Sequence, residues 1–378
     1  MREATRAVHA GLPVAEQGEP FRPGPVLAGP FHVAGEPESA PYAYGRYANP
    51  SWTAFEHALT ELEGGPALVF SSGMAAVAAV MFSTLRAGDV VVMADDAYFT
   101  ARVLAEAELG ERGVELRMLP TAGGELERGC LEGEVLRDAR LLWLETPTNP
   151  GLDVCDVRAL AEAAHGAGAL VAVDNSLATP LGQRPLALGA DFSVSSDTKA
   201  LTGHADLVLG HVAVQNPDAL EPLHAWRTRT GGVAGPFETW LAHRSLATLE
   251  LRLGRQCDSA GRLAALLDAR PDVEGVRYPG LPGDPAHEAA TLQMSRFGPV
   301  VGFALESRAR AEAFLAALEV VAEATSFGGL HSSAERRARW AGDAVPEGFV
   351  RLSVGCEDVE DLAEDIERAL DASASASS

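Results

Sequence analysis

Lysine is nearly absent from this 378-residue chain: of its 30 basic residues all but one are arginine, and the exception is Lys199. Arginine stays protonated across the accessible pH range and serves fixed ion pairs, whereas a desolvated lysine amine can lose its proton and attack a carbonyl. A lone amine in such a chain is either a compositional survivor or a nucleophile, and its neighbours decide between the two. Cysteine is scarce as well. Cys130, Cys155, Cys257 and Cys356 lie far apart without C-x-x-C spacing, and the ten histidines form no H-x-x-x-H or H-E-x-x-H pattern. Neither a disulfide framework nor a metal site is indicated. Positive charge is in deficit: the net charge of −23 argues against nucleic acid or an anionic membrane surface as a partner. No apolar run is long enough to span a bilayer, and the start MREATRAVHAGLP lacks a signal-peptide core, so the expected location is the cytoplasm.

What the chain does contain is a large globular core, with 47% hydrophobic and 22% charged residues. Residues 1–48, rich in Pro and Gly and without periodicity, read as an extended arm. From 49 to 235, seven strand-like runs alternate with Ala-rich helical stretches: ALVFS (67–71), VVVMA (90–94), VELRML (114–119), RLLWLE (140–145), ALVAVD (169–174), FSVSS (192–196) and LVLGHVAV (207–214). That alternation predicts an α/β domain built on a mainly parallel, seven-stranded, doubly wound sheet. In such sheets ligands sit outside the carboxyl ends of the strands. A long helical pattern beginning at 236 leads into a smaller α/β C-terminal domain (236–371), with strands in VVGFALE and FVRLSVG and helices in RARAEAFLAALEVV and VEDLAEDIERAL. The tail 372–378, ASASASS, is low-complexity and expected to be disordered.

Polar clusters follow several of these runs directly. In FSSGMAAVAAVMF, Ser72, Gly73 and Met74 open a helix, where free amides and the helix dipole favour an anion. In VAVDNSLATP, Asp174 ends an apolar strand, where a carboxylate needs a partner such as a protonated heterocyclic nitrogen; capping the next segment would serve equally well. In LETPTNPGLDV, Asn149 precedes Pro150 and its amide could reach a ligand oxygen, although turn chemistry alone explains T-N-P. In SVSSDTKALTGH, Ser196 and Thr198 bring two hydroxyls beside the Lys199 amine. Pyridoxal 5′-phosphate (PLP) has handles for all of these: a phosphate, a ring nitrogen, a phenolic oxygen and an aldehyde.

With these motifs in order, the chain resembles the Cys/Met-metabolism family of PLP enzymes, which includes cystathionine γ-lyases, γ-synthases and β-lyases and methionine γ-lyases. The resemblance runs from about Tyr42 to Asp361 through YGRYANPSWTAFEHALTELEGG, SSGMAA, ETPTNP, VDNSLATP, SSDTKALTGHADLVLGH, SFGGLHS and RLSVGCED. It implies the aminotransferase-like fold (fold type I) and a set of roles. Lys199 would bond the cofactor aldehyde and shuttle a proton, and Asp174 would keep the ring nitrogen protonated. Gly73, Met74, Ser196 and Thr198 would bind the phosphate. Tyr98 would stack on the ring and assist proton transfer. Asn149 would contact the cofactor or the substrate, Arg351 would clamp the substrate carboxylate, and Ser326 and His331 would lie at the substrate end. Tyr44 and Arg46 would reach the phosphate of a neighbouring subunit, which implies a homotetramer of catalytic dimers. The chain departs from the family pattern at Ala200, at Ala205, at Phe99–Thr100 (in place of Gly-Gly), at His331 (in place of glutamate) and in AERRARWAGD, which replaces a segment with Pro and His.

The expected reaction is γ-elimination on a sulfur-containing or other γ-substituted L-amino acid, giving a 2-oxo acid and ammonia. γ-Replacement and β-elimination share its early steps. A non-catalytic PLP-binding protein and a nucleotide-binding Rossmann-like module are the readings from other classes. The second lacks a G-x-G-x-x-G after the first strand and gives Lys199 no role.

Overall fold

The computed structural model describes residues 1–374. The seven strand-like runs all form strands: β1 (Ala67–Phe70), β2 (Val90–Ala94), β3 (Glu115–Leu119), β4 (Ala139–Glu145), β5 (Leu170–Asp174), β6 (Phe192–Ser195) and β7 (Gly210–Val214). They make one sheet in the order β1-β7-β6-β5-β4-β2-β3. Strands β3, β2, β4, β5 and β6 pair in parallel. The interiors of β2, β4 and β5 read as unbroken apolar runs because both faces are buried, whereas the edge strand β3 (ELRML) keeps charged residues and partial exposure. Strand β7 is the exception, antiparallel to both β6 and β1. The chain between β6 and β7 contains no crossover helix, and a parallel return requires one.

A second sheet follows, with order β10-β11-β12-β9-β8, from β8 (Glu274–Arg277), β9 (Val300–Ala304), β10 (Ala322–Glu323), β11 (Ser333–Arg336) and β12 (Phe349–Ser353). It packs through Val301, Phe303, Val350 and Leu352 on the helices Leu249–Asp268, Arg308–Ala317 and Val359–Ser373. Strands β9 and β12 are the two foreseen in the sequence. The other three are short and rich in charge, as in SAER, so alternation gives no signal.

Three expectations need correction. The arm is not wholly extended: Glu3–His9 is a helix, and Ala7 and Ala10 are buried in a cluster with Trp52 and Phe55. Seven residues are too few for a readable period, and such a helix is held by tertiary contact rather than propensity. The pattern starting at 236 is two helices, Pro236–Leu246 and Leu249–Asp268, with Thr248 between them at φ −111°, ψ 4°. The break lets Arg252 reach back to the carbonyl of Ser245 (3.0 Å) while it also donates to Ala200 O (2.8 Å) and Leu201 O (3.0 Å), just past Lys199. Finally, the last helix runs through Ser373, whose side chain is buried and donates to Leu370 O, so the tail begins later than its composition suggests. The remainder of the tail, 375–378, lies outside the described residues. Among the described residues no helix is long and apolar enough to cross a membrane.

Candidate active site

The carboxyl ends of β1, β2, β4, β5 and β6 open on one edge of the large sheet, and a cavity of about 340 Å³ lies there. Its walls include Gly73, Met74, Tyr98, Asn149, Asp174, Ser196, Thr198, Lys199, Ser326 and Arg351, ten residues singled out in the sequence.

The anion end is built by close backbone approach. Ser72 caps the helix Gly73–Thr84 by accepting from Ala75 N at 3.0 Å. The Gly73 and Met74 amides lie ahead of the first intrahelical acceptor and remain available. A Cβ on Gly73 would lie 2.7 Å from the Cβ of Ser196, and one on Gly210 would lie 2.6 Å from Gly73 N and Cα. Both positions must be glycine for the helix start, β7 and the Ser196–Thr198 loop to converge. Thr198 Oγ1 is anchored on the far side, donating to Leu209 O and accepting from Leu209 N.

Lys199 Nζ donates to Ser326 Oγ at 3.0 Å and lies 5.3 Å from the centre of the Phe327 ring. Burial, and then the nearby Arg351 guanidinium, hold its amine below the usual lysine range, while Asp174 pulls the other way. Ser326 adopts φ +78°, a left-handed conformation that a serine holds only under constraint, and its carbonyl accepts from Arg351 Nη2 at 2.9 Å. Beneath the loop, His211 lies fully buried between Asp197 (2.5 Å) and Glu63 (3.1 Å). These two acids push its pKa up to about 10 despite burial, and the triad lies beneath the loop carrying Lys199.

Asp174 and Glu145 face each other in register at the ends of β5 and β4. Asp174 Oδ1 accepts from Ser176 N at 3.0 Å, and the residue lines the cavity. Glu145 accepts from Tyr98 N (2.6 Å) and Asn149 N (2.9 Å). Desolvation raises both carboxyl pKa values, and Asp174 raises that of Glu145 further. Glu145 therefore ties the Tyr98 and Asn149 loops together. Its signal in the sequence was the one that marked Asp174, a carboxylate closing an apolar strand.

Arg351, on β12, is nearly fully buried and donates to Asn149 Oδ1 at 2.6 Å, so it joins the small sheet to the large one across the cavity. Burial and the neighbouring Arg337 lower its pKa to about 10. Arg337 itself lines the cavity, a member the sequence reading missed. Three expected residues lie elsewhere. His331 is exposed and lines no part of this cavity: Leu330 N is bonded to Gly203 O, and Ser332 to Glu357, which turns the chain outward between them. Tyr44 is exposed, and Arg46 stacks on Tyr44 and Tyr47 while donating to Thr228 O at 3.0 Å.

The donor set fits a phosphorylated pyridine aldehyde. It offers amides and hydroxyls for the phosphate, a carboxylate on the cavity wall for a ring cation, and a depressed amine for the aldehyde.

Known proteins resemble the chain over nearly its whole length. A candidate cystathionine γ-lyase of Streptomyces coelicolor is 57% identical over 374 residues, covering 98% of this chain and 93% of that protein. The solved structure of a methionine γ-lyase from Micromonospora echinospora is 38% identical with a TM-score of 0.90, covering 98% of this chain and 99% of that one. The structure of a cystathionine γ-synthase from Xanthomonas oryzae in complex with cystathionine is 32% identical with a TM-score of 0.94, covering 100% and 99%. The protein belongs to the Cys/Met metabolism PLP-dependent enzymes, whose family model matches residues 5–371.

Proposed function

We propose that the protein eliminates the γ-substituent of an L-amino acid, releasing a 2-oxo acid and ammonia, with cystathionine or a related γ-substituted amino acid as substrate. The observation that carries this reading is the placement of a desolvated Lys199 amine in one cavity with Asp174, Tyr98 and Arg351. PLP, when bound, supplies the electron sink that makes the α- and β-protons of an amino acid removable. Gly73, Met74, Ser196 and Thr198 would hold its phosphate and Asp174 its ring nitrogen. The residues of this chain then do the remaining work. Arg351, oriented by Glu335, Ser326 and Asn149, holds the α-carboxylate by charge and through its unpaired Nε. Lys199, its amine held below the usual lysine range by burial and by Arg351, takes the α-proton, passes it on, and is then free to take a β-proton. Tyr98, whose amide is anchored by Glu145, stands at the cavity wall to deliver a proton to the leaving group. Arg351, from the small sheet, forms part of the cavity wall opposite Asp174 and Lys199.

Tyr44 and Arg46 would complete the phosphate site of a neighbouring subunit, and the working form would be a cytoplasmic homotetramer of catalytic dimers. γ-Replacement is the second reading, favoured by the likeness to a γ-synthase over the full chain.

The test is product identity. The PLP-loaded enzyme is expected to release 2-oxobutyrate from L-cystathionine without a second nucleophile. Pyruvate in its place overturns γ-elimination in favour of β-elimination. Product that forms only when a thiol acceptor is present, with the acceptor incorporated, overturns it in favour of replacement.

A further inference from the structure

Two stretches in which this chain departs from its family pattern meet in space. A Cβ on Gly342 would lie 2.2 Å from the Phe99 ring, so Ala341–Asp343 packs flat on the Phe99 side chain that follows Tyr98. Arg102 bonds the Gly342 carbonyl and stacks on the same ring. Asp343, fixed in this way, takes Arg337 Nε at 2.7 Å and Nη2 at 2.5 Å. From the other side, Glu335 takes Arg337 Nη1 at 2.7 Å. Glu335 is itself gripped by Arg351 (2.5 Å), Arg339 (2.8 Å) and Trp340 Nε1 (3.0 Å).

The order of these layers matters. Arg337 and Arg351 line the cavity, while Glu335 and Asp343 do not and sit behind them. The acids neutralise and orient the guanidinium from the rear, and its front faces the ligand space. A guanidinium has five N–H donors, and three are engaged here, one each from Nε, Nη1 and Nη2. Among the described residues one N–H on each terminal nitrogen has no acceptor, and a carboxylate in the cavity can take these charged donors.

On the reading that Arg351 holds the α-carboxylate, which this step rests on, a second arginine in the same cavity has no assigned ligand. The geometry points to Arg337 as the specificity-determining residue for a carboxylate at the distal end of the substrate's γ-substituent. The enzyme selects γ-substituted amino acids whose leaving group itself carries a carboxylate over those with an alkyl or acetyl group. The packing of Phe99 on Gly342 is the support that keeps Asp343, and through it Arg337, in place.

Binding of two unreactive ligands to the PLP-loaded enzyme tests this without turnover. L-2-aminooctanedioate and L-2-aminooctanoate share the amino-acid head and chain, and differ in ending in a carboxylate or a methyl. Calorimetry is expected to give a dissociation constant at least about tenfold lower for the diacid, the scale of one charge-assisted hydrogen-bonded pair. In Arg337→Gln the ratio falls toward one, and in Arg337→Lys it is partly kept. Equal affinities in the wild type overturn the proposal, and that comparison needs no variant to fold. So does an Arg337→Gln protein that weakens both ligands alike, which would put Arg337 on the shared head. Failure of γ-elimination would show separately, as no 2-oxobutyrate from any γ-substituted substrate, and would leave the binding ratio measurable.

Discussion

Because Lys199 is the only lysine, its amine can be followed by chemistry that in most proteins would be spread over dozens of sites. Burial, and then Arg351, depress its pKa, so in the cofactor-free protein the amine should be acylated half-maximally at a pH below the ordinary lysine value of about 10.4. Arg351→Met removes a neighbouring cation, and the midpoint should then move upward. Mass spectrometry of the Lys199 peptide after timed acetylation across pH reads both. A midpoint unmoved by the substitution would mean that burial alone sets the amine. Lys199→Arg keeps the charge and much of the volume but cannot bond an aldehyde. Activity should fall by at least about a thousandfold, and the cofactor should no longer be retained on the chain after borohydride reduction, with a melting temperature near wild type. A variant that kept substantial turnover would sink the assignment of Lys199.

At the scale of elements, the site depends on backbones brought closer than side chains allow. Gly210 at the start of β7 faces the amide and Cα of Gly73, so the Cβ of Gly210→Ala has only backbone to push against. The helix start must retreat from Ser196 and Thr198. Stability should drop by about 1–3 kcal/mol, the usual cost of overpacking, and affinity for PLP should fall by at least about tenfold. Thermal unfolding and equilibrium dialysis measure the two effects. Loss of stability with unchanged cofactor affinity would dissociate this approach from the anion site. The same contrast shows what could be read from the sequence. Strands buried on both faces announce themselves as apolar runs, and the polar groups closing them, Asp174 and Ser196–Lys199, stood out against that background. The backbone approach of Gly210 to Gly73 is a tertiary fact with no local pattern. Arg337 sat in a charged stretch that reads as solvated surface, and only the carboxylates of Glu335 and Asp343 behind it turn it inward. Strands β8, β10 and β11 were illegible because their neighbours, rather than their own alternation, hold them in the sheet.

At the scale of the whole molecule, the arm is the part that a single chain does not explain. Val14, Phe21 and Leu27 are 87%, 92% and 71% exposed, and Tyr44 and Tyr47 also face outward. Such apolar exposure along one segment is what the proposed contact with a second subunit would cover. If Arg46 serves the site of its neighbour, each active site takes Lys199 from one subunit and Arg46 from the other, and the two can be separated by mixing. Arg46→Ala alone should lose activity through weakened cofactor binding, and Lys199→Arg alone should lose it through chemistry. Unfolded together in equal amounts and refolded, the two should regain about a quarter of wild-type activity, because half of the random dimers are mixed and each mixed dimer holds one intact site of two. If Arg46 acts within its own chain, no mixed dimer contains an intact site and nothing is regained. Sedimentation velocity on the same samples should show an assembly of four 39.6 kDa chains. A monomer that keeps full activity on dilution would remove the shared site together with the tetramer.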